Sequence, residues 1–574
     1  MIKSQIKQII TDGIKKTFPK IKEMHSFSVE IPQNNKFGDY STNVAMVLAK
    51  ELKQNPMDVA EKIVILLNGC IVEQRKTKNE KLKTTTKNSK LNKISTNNLA
   101  MKQFSNILCV KPGFINFYLS PEYLQSQVKN ILKLDNKFGK SDFGKDKKID
   151  IEFISANPTG PLTVGNSRGG VIGDVLANVY NSFNWQVTRE YYFNDAGGQI
   201  DVLGHSIIGD EESQYQGEYI NELRKKIKSK SYQEAGIEAA KIMIEEIKQS
   251  AKNMGIKFDI WFKEGENLRD KGKVKEIIDW MLEKNLAYKK DEAIWFRSTD
   301  FGDDKDRVIV RSNGEPTYFG VDCAYHKNKF IERKFDKCIN IWGADHHGDL
   351  SRMKGFVKAL GFNDKFDIIV HQFVRVMKDG KEVRMSKRAG NFVLVDDVLK
   401  EIGKDAYRFF MLSYPANTHM NFDLSLAIER SQKNPVYYVQ YAYARIASIL
   451  SKSQTSNIKS QINSKSEIPN SKLNHKSKII NLKLLNLGYE LDLIKTLIKL
   501  PELIEEIAGD YQVYRLTHYA REIADKFHTF YENCKVIDDE NPNVTQARLA
   551  LCQATKIVLK NTFDLMGISA PEKM

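Results

Sequence analysis

KIDIEFISANPTGPLTVGNSRGGVIGDVLANVY (148–180) decides the fold. Ile149, Ile151 and Phe153 alternate as in a strand, and Asn157-Pro-Thr-Gly-Pro161 then forms a tight turn. Beyond it, Val171, Val175 and Val179, with Ile172 and Leu176, recur at helical spacing. Gly165, Gly169, Gly170 and Gly173 crowd the start of that helix. Free N–H groups and the positive end of the helix dipole suit a phosphate there. The same glycines equally suit a plain tight turn. Neither G-x-G-x-x-G nor G-x-x-x-x-G-K-[ST] is present, so a dinucleotide fingerprint or a P-loop is not supported.

Outward from this unit, short apolar runs alternate with helical ones, the pattern of an α/β sheet. Ala293–Phe296, Val308–Arg311, Cys338–Trp342 and Asp367–Val370 read as further strands. A separate unit precedes this region, ending near residue 120. After residue 420 the pattern is helical almost to the end: Leu424, Ile428, Tyr437, Tyr441, Ile446 and Ile449 recur at helical intervals, which predicts an all-α bundle. Residues 73–102 carry nine basic and two acidic side chains, and 451–480 are rich in Ser, Asn and Lys. Both read as solvated insertions that cannot bury enough surface to offset ordering entropy.

The 574 residues are too many for one core, which rarely grows past about 250–300 residues. The net charge of +16 favours a polyanionic partner, although a general lysine bias would give the same excess. Cys70, Cys109, Cys323, Cys338, Cys534 and Cys552 are scattered without a CxxC pair, which disfavours zinc and disulfides and suits a reducing cytoplasm. The opening MIKSQIKQIITDGIKKTF reads as an amphipathic helix rather than a signal peptide, and no window has the roughly 20 apolar residues that span a bilayer. The expectation is a soluble cytoplasmic protein.

Far downstream stands Arg384-Met385-Ser386-Lys387-Arg388-Ala-Gly. A lysine between small residues on a loop can reach ATP phosphates as charge builds in a displacement, although most basic runs are merely solvated. Together, SANPTGPL (155–162), the helix after it and MSKRAG resemble class I aminoacyl-tRNA synthetases, specifically the arginyl-tRNA synthetase family. The likeness continues, in the family's order, through FGDYSTNVAM (37–46), PGFINFYL (112–119), YYFNDAGGQI (191–200), TYFGVDCAYHK (317–327), NIWGADHHGD (340–349), NPVYYVQYAYARI (434–446) and GISAPEKM (567–574).

The resemblance implies three domains. An N-terminal α+β domain over 1–120 would meet the tRNA elbow. A Rossmann-like α/β catalytic domain with a parallel sheet would span 121–419, with a connective segment inserted at about 205–290. A helical anticodon-binding domain would fill 420–574. It also implies a reaction with ATP as substrate, Mg²⁺ carried by ATP and no zinc. The arginine carboxylate attacks the α-phosphate, pyrophosphate leaves, and the adenylate esterifies the terminal adenosine of the arginine tRNA. A monomer without membrane attachment is expected. Activation that needs tRNA would fit a small group of synthetases that this family resembles.

A guanidinium is flat, permanently charged and carries five donors, so a site selecting it needs carboxylates and a hydroxyl. By resemblance, Glu152, Asp322 and Tyr318 fill those positions, with Asn157 and His346 also at the amino acid. Without the resemblance, Asp322 would read as a helix cap. Pro158, Gly165, Gly343, Asp345, Met385, Ser386 and Lys387 fall to ATP, and His347 lies in the same stretch. Phe37, Tyr40, Tyr531, Arg548 and Met574 fall to tRNA. His528, Phe530, Tyr531 and Arg548 interleave aromatic and basic groups, which suits splayed bases, though aromatic residues at this spacing also suit a core.

One departure is plain. Where class I enzymes carry His-x-Gly-His, this chain has Thr163-Val164-Gly165-Asn166. Thr and Asn can donate hydrogen bonds but cannot take a positive charge. Lys387, which many arginyl enzymes lack, and the helix dipole are therefore expected to carry most of the phosphate stabilisation, with Thr163 and Asn166 as neutral partners. The alternative is a non-catalytic tRNA-binding or regulatory homologue that keeps the fold.

Overall fold

The computed structural model describes residues 2–79, 99–383, 393–463 and 480–574, apart from positions 20, 22–24, 33 and 196. Its centre is a five-stranded, wholly parallel sheet in the order Phe366–His371, Lys337–Gly343, Lys148–Glu152, Gln186–Phe193, Ile260–Lys263. The strand read from Ile149, Ile151 and Phe153 is the middle one, and its other face carries Asp150 and Glu152. From that strand the chain works outward to Ile260–Lys263, then returns to build the opposite side. The order therefore reverses between Lys148–Glu152 and Lys337–Gly343, and the crevice at the carboxyl ends of two such strands is where open α/β sheets take ligands.

The helix Val164–Ser182 follows the middle strand and packs directly on the sheet. A Cβ added at Gly173 would lie 2.4 Å from the Phe153 ring, and one at Gly169 would lie 2.8 Å from His371 Nε2. These glycines are thus required for close helix–sheet approach. Of the other expected strands, Cys338–Trp342 and Asp367–Val370 fall inside the parallel sheet. Ala293–Phe296 and Arg307–Val310 instead form a separate antiparallel sheet with Ala287–Lys290.

The N-terminal part is α+β: a four-stranded antiparallel sheet with the helices Ile2–Thr17, Val44–Leu52 and Pro56–Asn79. The C-terminal part contains the helices Pro435–Asn463, Gly488–Leu497, Leu500–Asp510, Arg515–Asn533 and Pro542–Met566. Three expectations need correction. A short strand, Met420–Asp423, lies where only helix was expected and pairs with Val374–Lys378. Helix continues past residues 73 and 451 into both stretches read as insertions, ending at Asn79 and Asn463; residues 80–98 and 464–479 lie outside the described set. Ile428 and Tyr441, read as core, are exposed. Among the described residues no helix is long and apolar enough to cross a membrane.

Buried charge ties the parts together. Arg408 has no solvent exposure; its guanidinium donates to Asp174 Oδ2 (2.6 Å), to the Met566 carbonyl (2.8 Å) and to the Met254 carbonyl (3.1 Å). It thereby joins the sheet-packing helix to the last helix of the chain. At the other end, Tyr40 Oη donates to Glu502 Oε2 (3.1 Å) and the Lys3 amide donates to Glu502 Oε1 (2.8 Å). Removing one partner of a buried charge pair leaves unmatched polar groups behind. Arg408→Met is accordingly expected to lower unfolding free energy by about 3 kcal/mol, as read from urea denaturation.

Candidate functional site

At the switch crevice the middle strand ends on Glu152, and the backbone turns through Ile154 (φ 68°) and Ser155 (φ 43°), both left-handed. Such a conformation is a real cost for a β-branched residue and persists only where the surroundings over-determine it. Here they do. Ser155 Oγ donates to Glu152 Oε1 (3.0 Å) and accepts from the Tyr192 amide (3.1 Å). Pro158 is buried in the turn that follows, and the exposed Asn157 side chain donates to Gln199 Oε1 at 2.5 Å.

The helix then starts at Val164 with a reciprocal capping box. Thr163 Oγ1 accepts from the Asn166 amide (3.3 Å), while Asn166 Oδ1 accepts from Thr163 Oγ1 (2.6 Å) and from the Thr163 amide (3.4 Å). Thr163 and Asn166 are thus committed first to the helix end. The Asn166 side-chain NH₂ has no partner among the described residues and remains a donor beside Gly165. Met385, Ser386 and Lys387 lie outside the described residues. The described chain resumes at Val393, whose carbonyl accepts from the Val164 amide (3.0 Å), and the Val395 amide donates to the Leu162 carbonyl (3.1 Å).

The helix Tyr318–Lys327 forms the opposite wall. Thr317 caps it by accepting from the Gly320 amide (3.1 Å), so Asp322 is an interior residue of the helix and not its cap. Tyr318, one turn before Asp322, is 53% exposed and stands at the rim. Asp322 makes no side-chain hydrogen bond or ion pair among the described residues. Burial pushes its carboxyl up to about 8, with further upward contributions from Glu264 and then Glu152. Glu152 and Asp322 therefore lie within electrostatic reach of one another, but their conditions differ. Glu152 is already paired: Oε1 accepts from Ser155 and Oε2 from Lys329 Nζ (2.8 Å).

Glu264 and Tyr192 are neighbours that sequence reasoning missed. Glu264 is buried, accepts from Tyr192 Oη and pairs with Arg269 (2.6 Å). The Tyr192 hydroxyl is raised well above its ordinary value by burial, then by Glu264, Asp322 and Glu152. On the far side of the crevice Gly343 admits the chain's return: a Cβ there would lie 2.4 Å from Asp345 Oδ1. Asp345, His346 and His347 are exposed, with His346 Nδ1 3.4 Å from Asp349 Oδ2 and Nε2 3.6 Å from Asp345 Oδ2.

The residues assigned to tRNA separate into two groups. Phe37 and Met574 are exposed, and Tyr531 is half-buried with the Arg445 guanidinium 4.3 Å over its ring. Tyr40 is 2% exposed and serves the contact with Glu502, so a direct RNA contact is excluded in this arrangement. Arg548 pairs with the fully buried Glu490 (2.7 Å) and donates to the Lys535 carbonyl, and Phe530 is core. The exposed aromatic surface is made instead by the stacked Tyr437 and Tyr441, with His528 against Tyr438 and Tyr441.

The geometry agrees with the chain's relatives. The model of the class I tRNA synthetase (R) catalytic domain matches residues 127–233 and 208–421, that of the arginyl tRNA synthetase N terminal domain matches 4–80, and that of the DALR anticodon binding domain matches 439–574. The chain is 38% identical to an arginine–tRNA ligase of Acetivibrio thermocellus over 604 residues, which cover 100% of this chain and 99% of the relative. It belongs to the arginyl-tRNA synthetase family. An arginine–tRNA ligase of Thermotoga maritima is likewise 38% identical, over all of both chains. The arginyl-tRNA synthetase of Thermus thermophilus shares the fold, with a TM-score of 0.73 at 19% identity over 100% of each chain.

Burial and the neighbouring Glu264 and Glu152 favour the protonated form of Asp322 at neutral pH. Its folded pKa lies above that of the unfolded chain, so as pH rises the unfolded state loses this proton first. The group therefore costs stability progressively between about pH 4 and pH 8. Asp322→Asn removes that cost. Its stabilising effect is expected to grow from pH 5 to pH 8, by at most about 1.4 kcal/mol per unit, and then to level off. Urea titrations at three pH values check this.

Proposed function

We propose that the chain is an arginine–tRNA ligase that activates arginine with ATP and transfers it to the 3′ end of the arginine tRNA. The observation that carries this reading is the carboxyl of Asp322, which lies within electrostatic reach of Glu264 and Glu152 and has no side-chain hydrogen bond or ion pair among the described residues. Asp322 takes the guanidinium, with the Tyr318 hydroxyl at the rim, and Glu152 and Glu264 complete a field that favours one flat cation. Lysine, with one compact ammonium, leaves part of this buried acceptor set unmatched.

Asn157 and His346 hold the amino and carboxylate end of the substrate. Gly165, Gly343, Pro158 and Asp345 shape the nucleotide side. The Gly165 amide N–H at the helix start and the Asn166 NH₂ donate to the phosphates. Lys387, six residues before the Val393 that bonds to Val164, brings the positive charge that Thr163 and Asn166 lack. The arginine carboxylate displaces pyrophosphate from the α-phosphate, and a terminal ribose hydroxyl of the tRNA then displaces AMP from the adenylate. Mg²⁺ accompanies ATP on its phosphates.

The tRNA crosses Phe37 at one end, and Tyr441, His528, Arg445, Tyr531 and Met574 at the other, where bases can stack on rings. The enzyme works as a cytoplasmic monomer, and arginine activation requires tRNA. Pyrophosphate exchange is therefore expected with arginine, ATP and tRNA together, and not when tRNA is omitted; equal exchange in its absence would refute the requirement. Lys387→Ala should slow adenylation about 100-fold. An unchanged single-turnover rate would remove Lys387 from the mechanism.

Asp322 must ionise to pair with the guanidinium, so arginine binding releases a proton below pH 8. Arginine affinity is expected to rise by up to about tenfold per unit from pH 6 to pH 8 and then to flatten. In Asp322→Asn both the slope and most of the affinity should vanish. Calorimetric titrations across pH in the presence of tRNA measure both.

A further inference from the structure

Tyr318, Asp322, Tyr325 and Lys329 follow one another at spacings of four, three and four, which places them on one face of a helix. The helix loosens into a π-helical turn at Asn328–Glu332, a distortion frequent at functional positions. Lys329 enters the interior from there with no solvent exposure and meets the polar face of the sheet. The carboxylates of Asp150, Glu152 and Glu190 and the amide of Asn340 lie on three adjacent strands, with Glu152 in register with both Asn340 and Glu190. The ammonium group stands 2.7 Å from Asp150 Oδ2, 2.8 Å from Glu152 Oε2 and 3.1 Å from Asn340 Oδ1. It donates to Glu152 and Asn340 and forms an ion pair with Asp150.

The partners beyond these form a continuous chain. Asn340 Nδ2 donates to His326 Nε2 (3.1 Å), so His326 Nδ1 carries the proton and donates to the Asp322 carbonyl (2.8 Å). Burial, then the Lys329 charge, holds His326 neutral by lowering it to about 3. In the other direction Glu152 Oε1 accepts from Ser155, whose left-handed backbone opens the turn bearing Asn157. Arg333 and Tyr325 both serve Glu190 and leave Glu152 to Lys329.

We propose that Lys329 is the positioning residue of the arginine pocket. It clamps Glu152 and, through Ser155 and Asn340, fixes both the turn that carries Asn157 and the helix that carries Asp322. Asp322 is thereby the carboxyl left open to the incoming guanidinium. This rests on the arginine-pocket reading above. Removing the ammonium would free Glu152 to turn toward Asp322 and Glu264, repelling both and unfastening Ser155 from the strand end.

The test is arginine-dependent pyrophosphate exchange in the presence of tRNA, on the full chain. Lys329→Met should raise the KM for arginine tenfold or more and leave the KM for ATP within twofold. Removing a buried cation alone can prevent folding, so D150N/K329M, which removes one carboxylate with it, carries the same expectation. D150N alone keeps the Glu152 clamp, so its arginine KM should stay at least threefold below that of the double variant, which separates loss of the ammonium from loss of the carboxylate. An arginine KM unchanged in the double variant would overturn the proposal, as would parallel rises for arginine and ATP, or failure of both lysine variants to fold. If the parent chain itself shows no arginine-dependent exchange, the pocket reading falls rather than the role of Lys329.

Discussion

The acidic face of one parallel strand is the constraint on which the rest of this structure depends. Asp150, Glu152 and Glu190 lie on a sheet face with almost no water. Charge in such a place persists only when it is paired and hydrogen-bonded. Burial works against the Lys329 charge, but Asp150, Glu152 and Glu190 together outweigh it and hold the group protonated; Arg333 is held charged in the same way. Asp150, raised to about 7 by burial and then by Glu190, is the member least able to stay ionised. Its 2.7 Å contact with Lys329 is an ion pair with its angle outside hydrogen-bond geometry, consistent with the firmer bond going to Glu152. Lys329 and Arg333 thus offset most of the negative charge on this face of the sheet.

The switch crevice combines two kinds of electrostatics. Glu152, Asp322 and Glu264 gather carboxyl groups within electrostatic reach of one another. The helix Val164–Ser182 starts after the turn that follows the middle strand, and a helix start favours negative charge. Gly169 and Gly173 let that helix pack closely against the sheet. A cap made of Thr163 and Asn166 finishes the helix without adding charge. Hydrogen bonds join Leu162–Val164 to Val393–Val395 beside that cap.

The terminal parts are attached by the same device of one buried polar group bridging distant segments. Glu502 receives Tyr40 and the Lys3 amide, and burial raises its carboxyl despite these partners. Arg408 gathers Asp174 and the carbonyls of Met254 and Met566. Both contacts join residues hundreds of positions apart. Tyr40 was assigned to tRNA by the family resemblance of its segment, and its burial against Glu502 sets it inside the structure instead.

The sequence by itself determined the middle strand, the helix after it, two further strands of the sheet and the helical C-terminal part. Period-two and period-3.6 patterns report which side of an element is buried, and that depends on neighbours along the chain. The resemblance also pointed to Glu152 and Asp322 together. The 4-3-4 spacing from Tyr318 to Lys329 was legible too, although nothing in it says that a lysine faces inward. Only the tertiary structure decided that Ala293–Phe296 and Arg307–Val310 leave the main sheet, that Glu264 and Tyr192 lie within electrostatic reach of Asp322, and that Lys329 pairs with Glu152. Strand partners and ion-pair partners are chosen across long stretches of chain. A charged residue has the same local signature whether water, another side chain or a substrate will satisfy it.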